Sequence, residues 1–270
     1  MRHILLALTL TLAFATVAAA QAKPDLPAPP DVAAPPADAA KTASGLASKV
    51  LTPGTGVGTP TATDFVTVHY TAWASSDGRM FDSSYARGTM PSMFPLARSF
   101  AGWRECVQLM SVGEKRRCWI PQELAYKGAA NRPTGMVVFE IELLDTHANP
   151  TIPPPDVKAP PADVQKTASG LAYRVMRRGI GGRRPQPFDR VTVHYTGWTT
   201  DGKMFDSSIS RGTPTTFRLD DVIRGWTEGV GLMVEGERTR LWIPQDLAYK
   251  GESGSPRGML VFDIELISIE

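Results

Sequence analysis

From Val191 to Tyr195 apolar and polar positions alternate, with Val191, Val193 and Tyr195 set against Thr192 and His194. A period of two belongs to a strand with one covered face, and it turns the valines and the tyrosine toward a core and the histidine away from it. The same pattern returns near the end of the chain, where Phe262, Ile264 and Leu266 share one face and Asp263 and Glu265 the other. Between these strands the period changes. Ile223, Trp226, Val230 and Met233 fall at helical spacing, with Gly236 beyond them as a terminator, which predicts one short amphipathic helix. Asp201-Gly202 supplies turn chemistry between the first strand and MFDSS, since glycine tolerates the positive φ of tight turns. About five or six short strands and one helix, interrupted by Pro and Gly, amount to an α+β domain in which a twisted antiparallel sheet wraps around the helix.

These elements occur twice. PPDVAAPPADAAKTASGLA at 29–47 returns as PPDVKAPPADVQKTASGLA at 154–172, VTVHYTAW at 66–73 as VTVHYTGW at 191–198, and WIPQELAYKG at 119–128 as WIPQDLAYKG at 242–251. Phe100, Trp103, Val107 and Met110 repeat the helical spacing, and Asp77-Gly78 the turn. A shift of about 125 positions exceeds the roughly 20–50 residues of stacking repeats, so each copy is expected to bury its own core. The chain then divides into a signal peptide over 1–20, a Pro/Ala-rich segment over 21–42, a domain over 43–146, a Pro-rich linker over 147–167 and a second domain over 168–270. The Pro, Ala and Asp tracts carry no apolar periodicity and read as extended spacers that let the domains move.

Composition narrows the function. With 42% hydrophobic and 21% charged residues and a net charge of +2, the chain reads as globular and has no field to draw in nucleic acid. Met1-Arg2-His3, an apolar run from Ile4 to Val17 and Ala18-Ala19-Ala20 follow the order of a secretory signal, with cleavage after Ala20 or Ala22 fitting equally. The run is shorter than the roughly 20 residues a spanning helix needs, so a soluble mature protein without a membrane span is expected. The compartment is read as the periplasm, with secretion as the alternative. Cys106 and Cys118 are the only cysteines, and Gly229 and Leu241 stand at their places in the second copy; sequence leaves open a single bridge or two buried thiols. His69 and His194 lie on the polar strand face, and four histidines in all suggest no metal constellation.

The blocks VHYTGW, DGKMFDSS, VIRGWTEGV, LAYKG and LVFDIELI, in this order and spacing, resemble the FKBP-type peptidyl-prolyl cis-trans isomerases. The resemblance implies catalysed rotation about the bond before proline in unfolded or partly folded protein segments, with no metal or organic cofactor. It implies a pocket of Tyr195, Phe205, Asp206, Val222, Ile223, Trp226, Tyr249 and Phe262. In it Trp226 would be the floor beneath the proline ring and Tyr195, Phe205 and Phe262 its walls. Tyr249 and the Ile223 N–H would donate to substrate carbonyls, and Asp206 would face the twisting amide.

The first copy offers Tyr70, Phe81, Asp82, Trp103, Tyr126 and Phe139, but Ser99-Phe100 replaces Val222-Ile223. The bulkier Phe100 is expected to narrow that proline site and weaken or redirect its activity, so the second copy is expected to do most of the work. Both copies lack an aromatic often found in the family two residues before Phe217, having Thr215 and Ser92, and the stretch from Tyr249 to Phe262 is short. No helical arm precedes the first domain, and a monomer is expected. The rival reading is a non-catalytic chaperone or binding module that holds clients with two apolar pockets; a hydrolase or redox enzyme would need a nucleophile–base pair or a CxxC motif, and neither is found.

Overall fold

Alternation and turn chemistry produce the same sheet twice. The computed structural model describes residues 26–56, 58–88 and 90–270; the signal peptide expected at 1–20 lies outside them. The first half contains β1 (Ala40–Lys41), β2 (Ala47–Thr52), β3 (Phe65–Ala74), β4 (Met80–Ser83), β5 (Ser92–Pro95), helix α1 (Ala101–Gln108), β6 (Lys115–Ile120) and β7 (Val137–His147). The second contains β8 (Gln165–Lys166), β9 (Ala172–Arg177), β10 (Arg190–Thr199), β11 (Met204–Ser207), a short α2 (Ser208–Arg211), β12 (Thr215–Arg218), α3 (Arg224–Gly231), β13 (Arg238–Ile243) and β14 (Leu260–Ile269). Each half is a seven-stranded antiparallel sheet, in the order β1-β2-β6-β7-β3-β4 and β8-β9-β13-β14-β10-β11, with β5 added to β3 and β12 to β10. Gly78 and Gly202 take φ of +70° and +87° in the turns before β4 and β11, the conformation for which a residue without Cβ is suited.

The face predicted to be covered is covered. Val191, Val193, Leu241, Ile264 and Leu266 are fully buried against Trp226, Val230 and Met233 of the helical stretch. The helix is shorter than its periodicity suggests: Ile223 is its N-cap, and Met233 lies beyond the C-cap Leu232, packing as part of the loop. Cys106 on α1 and Cys118 on β6 form a disulfide in the first core.

The opposite sheet face corrects the reading of the Pro-rich tracts as free spacers. Trp73 and Trp119 donate their indole N–H to the carbonyls of Leu26 (3.0 Å) and Asp31 (2.8 Å). Trp198 and Trp242 donate to those of Pro150 (2.9 Å) and Asp156 (3.0 Å). Arg117 and Arg240 pair with Asp31 and Asp156, and Val157 is buried with Trp198, Trp242 and Val261 in a second, smaller core. Each tract is thus a strap across the outer face of the sheet that follows it. The straps have no apolar period because they contribute backbone carbonyls, to which a buried indole N–H must donate.

For the same reason His194 is half-buried. The end of β7 lies against it, with the His147 and His194 rings 5.3 Å apart. Arg238 donates to His147 Nδ1 (2.9 Å), to the Thr146 carbonyl (3.1 Å) and to Glu265 (2.7 Å), while Arg177 bridges Asp145 and Glu265. Asp145, His147 and Glu265 come close enough together to hold an ion, a grouping the histidine count did not suggest. Their carboxylates are already answered by the two arginines, so the group is an ion-pair joint between the domains. His147 is 7% exposed; burial first, and the charge of Arg238 next, push its pKa down to about 3.

That joint should make stability pH-dependent. An unfolded histidine binds its proton near pH 6.5, whereas folded His147 refuses it down to about 3. Stability is therefore unaffected above the higher value and falls as pH drops between the two, by roughly 2 kcal/mol at pH 5. His194, also lowered by burial, acts in the same direction. Thermal unfolding at pH 7 and pH 5 should show this fall and a smaller one in His147→Gln; an equal fall in the variant would show that the joint is not its source.

Candidate active site

On the inner face, the loop before α3 and strands β10, β11, β12 and β14 converge on one cavity of about 300 Å³. Tyr195, Phe205, Asp206, Val222, Ile223, Trp226, Tyr249 and Phe262, the eight residues expected from the sequence, all line it, together with Thr215, Phe217 and Asp221. Trp226 sits at its base. The ring centroids of Tyr195, Phe262 and Phe217 lie 5.1, 5.2 and 5.3 Å from that of Trp226, the first two edge-on, an arrangement the charge distribution of aromatic rings favours. Phe205 meets Phe262 edge-on at 5.5 Å. Gly197 permits that contact, because a Cβ there would lie 2.6 Å from Phe262 and 2.7 Å from Phe205.

The polar atoms sit on one side. Tyr195 donates its hydroxyl to Asp206, and Arg211 donates to both Asp206 and the Tyr195 oxygen, the latter at 2.9 Å. Partial burial works against the Asp206 carboxylate, yet the Tyr195 and Arg211 bonds hold its pKa below the usual range. Asp206 is therefore ionised at neutral pH. Arg211 escaped the sequence reading because it ends the four-residue helix α2, too short to show a periodicity; its signal was the Arg-Gly pair after FDSS, present in both copies at 87–88 and 211–212. Tyr249 is raised, chiefly by burial and then by the Asp206 charge, so its hydroxyl keeps its proton. Among the described residues that hydroxyl has no partner within the chain, and neither has the Ile223 amide at the start of α3, where helix N–H groups are left without intrahelical acceptors. Both remain available to a ligand.

The first copy repeats the framework in looser form. Its hollow measures about 510 Å³ and is lined by Tyr70, Asp82, Ser99, Phe100, Trp103, Tyr126 and Phe139, with Phe94, Arg98, Ala129 and Arg132. Phe81 packs behind it, edge-on to Tyr126 and Phe139. Phe100 does not narrow the site: its ring tilts onto Tyr126 at 5.0 Å and Phe139 at 5.8 Å, leaning against the wall. Tyr70 stands 6.5 Å from Trp103, farther than its counterpart from Trp226. Arg87 bonds Asp82 and the Tyr70 hydroxyl (2.8 Å), and Tyr70 is pushed up to about 12, mainly by burial.

The family model for FKBP-type peptidyl-prolyl cis-trans isomerase matches residues 56–144 and again 181–267. The chain belongs to this family. It is 51% identical over 117 residues to the macrophage infectivity potentiator of Trypanosoma cruzi, a match covering 42% of this chain and 60% of that protein. It is 50% identical over 111 residues to the FKBP-type isomerase FkpA of Aeromonas hydrophila, covering 40% of this chain and 41% of that one. The crystal structure of FkpA from Escherichia coli aligns at 43% identity with a TM-score of 0.39, over 41% of this chain and 53% of the other. The chain thus spans three fifths or less of these relatives' lengths. No described helix of this FKBP chain is long and apolar enough to cross a membrane.

Proposed function

We propose that this chain is a peptidyl-prolyl cis-trans isomerase that acts on proline-containing segments of unfolded or partly folded exported proteins, mainly through its second domain. The observation that carries this reading is the open cup over Trp226, lined by Tyr195, Phe205, Phe217 and Phe262 and edged by an ionised Asp206 and two unused donors. Rotation about an X-Pro bond meets a barrier of roughly 18–20 kcal/mol, because twisting the amide costs its resonance. No bond breaks, so a site need only bind the twisted amide better than the planar one. The proline ring fits against Trp226, Tyr195, Phe205 and Phe262. The cup strips water from the planar amide, whose charge-separated form water stabilises. The Ile223 N–H and the Tyr249 hydroxyl donate to carbonyls flanking the bond, and Asp206, held by Arg211, faces the amide as it loses conjugation. Uncatalysed isomerisation takes roughly tens to hundreds of seconds, slow enough to delay folding. The order of the first twenty residues supports export, with the periplasm as the compartment.

A protease-coupled assay of a proline tetrapeptide on the full chain tests this. Asp206→Leu should cut kcat/KM about tenfold, equivalent to about 1.4 kcal/mol, and Asp82→Leu should change it less than about twofold. A rate unaltered by Asp206→Leu, with suppression of client aggregation intact, would favour the chaperone reading. The wide, open hollow of the first domain gives that second reading its specific support there: it holds apolar surface without the tight cup.

A further inference from the structure

The two hollows share a floor and differ at the rim. Arg98 lines the first, directly before Ser99-Phe100; Asp221 lines the second, directly before Val222-Ile223. Arg132 also lines the first, its guanidinium carbon 5.3 Å from the centroid of Tyr126, where the second copy has Ser255 at the matching distance beyond Tyr249. Both arginines are exposed, and the first domain's ion pairs among the described residues involve neither of them. Arg104 on α1 donates to the carbonyls of Ala97 (3.1 Å) and Ser99 (2.9 Å) and places a third positive charge under the same loop. At the corresponding place the neutral Thr227 hydroxyl donates to the Leu219 carbonyl at 2.7 Å. The carboxylate of Asp82 is already taken by Arg87. The cations lining the first hollow, Arg98 and Arg132, thus have no acidic partner, whereas Asp221 lines the second at the equivalent point and the nearby Arg224 and Arg257 do not line it.

We propose that the first hollow is a binding site for proline-containing segments with acidic residues on either side of the proline, and that Arg98 and Arg132 set this preference. The proposal rests on the proline-binding reading above and divides its substrates between the domains, the second accepting segments with neutral or basic neighbours. Opposite charges attract at the rim while the proline ring occupies the apolar floor, so the cations select and the aromatics retain. Exposed ion pairs are weak singly, and two together give roughly a threefold to tenfold preference. Salt should erase it, since the screening length drops from about 10 Å at 0.1 M to about 3 Å at 1 M.

The test uses the full chain labelled with nitrogen-15 at its tryptophan indoles, with Trp103 reporting on the first hollow and Trp226 on the second. The probes are acetyl-Glu-Ala-Leu-Pro-Glu-amide and its twin with lysine for both glutamates. The Trp103 signal should titrate at a roughly threefold to tenfold lower concentration of the glutamate peptide, the gap should close in high salt, and Arg98→Glu with Arg132→Glu should invert it without altering the Trp226 titration. Equal Trp103 titrations with the two probes, or no Trp103 response at all, would overturn the proposal. If Trp226 still responds and the tetrapeptide is still turned over, the isomerase reading survives that result; if neither indole responds to either probe, proline binding falls as well.

Discussion

The full chain with Trp226→Ala should lose about tenfold to a hundredfold in kcat/KM toward a proline tetrapeptide, a loss of roughly 1.4–2.7 kcal/mol in transition-state binding. The indole is the surface against which a proline ring would rest, and it also spaces Tyr195, Phe217 and Phe262 about itself. Its removal leaves a wet hole where the mechanism needs a dry one. Truncating a buried tryptophan also costs roughly 3–5 kcal/mol of stability. Trp226→Phe separates the two effects, since it keeps an apolar floor and should keep both fold and a larger share of the rate. Trp103→Ala, in the looser hollow, should leave the overall rate within about twofold. A Trp226→Ala chain whose second domain still melts cooperatively and whose rate is undiminished would mean that the chemistry lies elsewhere.

Reducing the Cys106–Cys118 bond should destabilise the first domain alone, by about 3 kcal/mol. The bond ties the helix beneath the hollow to the strand behind it across 12 positions, and a short loop of that kind removes freedom mainly from the unfolded chain. For a domain of this size the loss corresponds to a fall of roughly 10–20 °C in the first unfolding transition. The second transition should not move. The second copy shows another solution at the same place: Leu241 fills the space over Gly229, where an added Cβ would lie 2.4 Å from it. Cys106→Gly combined with Cys118→Leu should therefore recover part of what Cys106→Ala with Cys118→Ala loses. Calorimetry with and without reductant decides it; a shift in both transitions, or in neither, would refute the account.

The inner half of each domain could be read from the sequence and the outer half could not, for a physical reason. Val191, Val193, Ile264 and Leu266 declare themselves by alternation because burial of one strand face leaves a period of two, and the helix over 224–231 declares Trp226 in the same way. The eight residues inferred by resemblance meet in one cavity: Tyr195, Phe205, Asp206, Trp226 and Phe262 sit on strands or the helix, Val222 and Ile223 lead into that helix, and Tyr249 comes from the turn between β13 and β14. Arg211 and Arg98 end helical pieces of four and three residues and Asp221 lies in a bend, where nothing in the local pattern says which way a side chain points. The straps were missed because Asp31, Asp156 and their neighbours serve through carbonyls and single carboxylates, contributions that no hydropathy pattern records. A trace was present even so: the tracts were duplicated almost letter for letter, more faithfully than a mere spacer requires. Phe100 shows the limit from the other side: its bulk suggested a narrowed site, but its ring leans onto Tyr126 and Phe139.

The straps also decide where the chain can be cut. Excision of the C-terminal half at residue 168 would strip Trp198 and Trp242 of their carbonyl acceptors at Pro150 and Asp156, leave Arg240 without one of its two carboxylates and open the small core around Val157 to water. A fragment beginning before Pro150 keeps all of these, whereas the joint, whose Asp145 and His147 sit on β7 paired with β3 of the first sheet, is lost with the first domain. The self-standing cassette in this protein therefore starts well upstream of its first long strand, with prolines at its head.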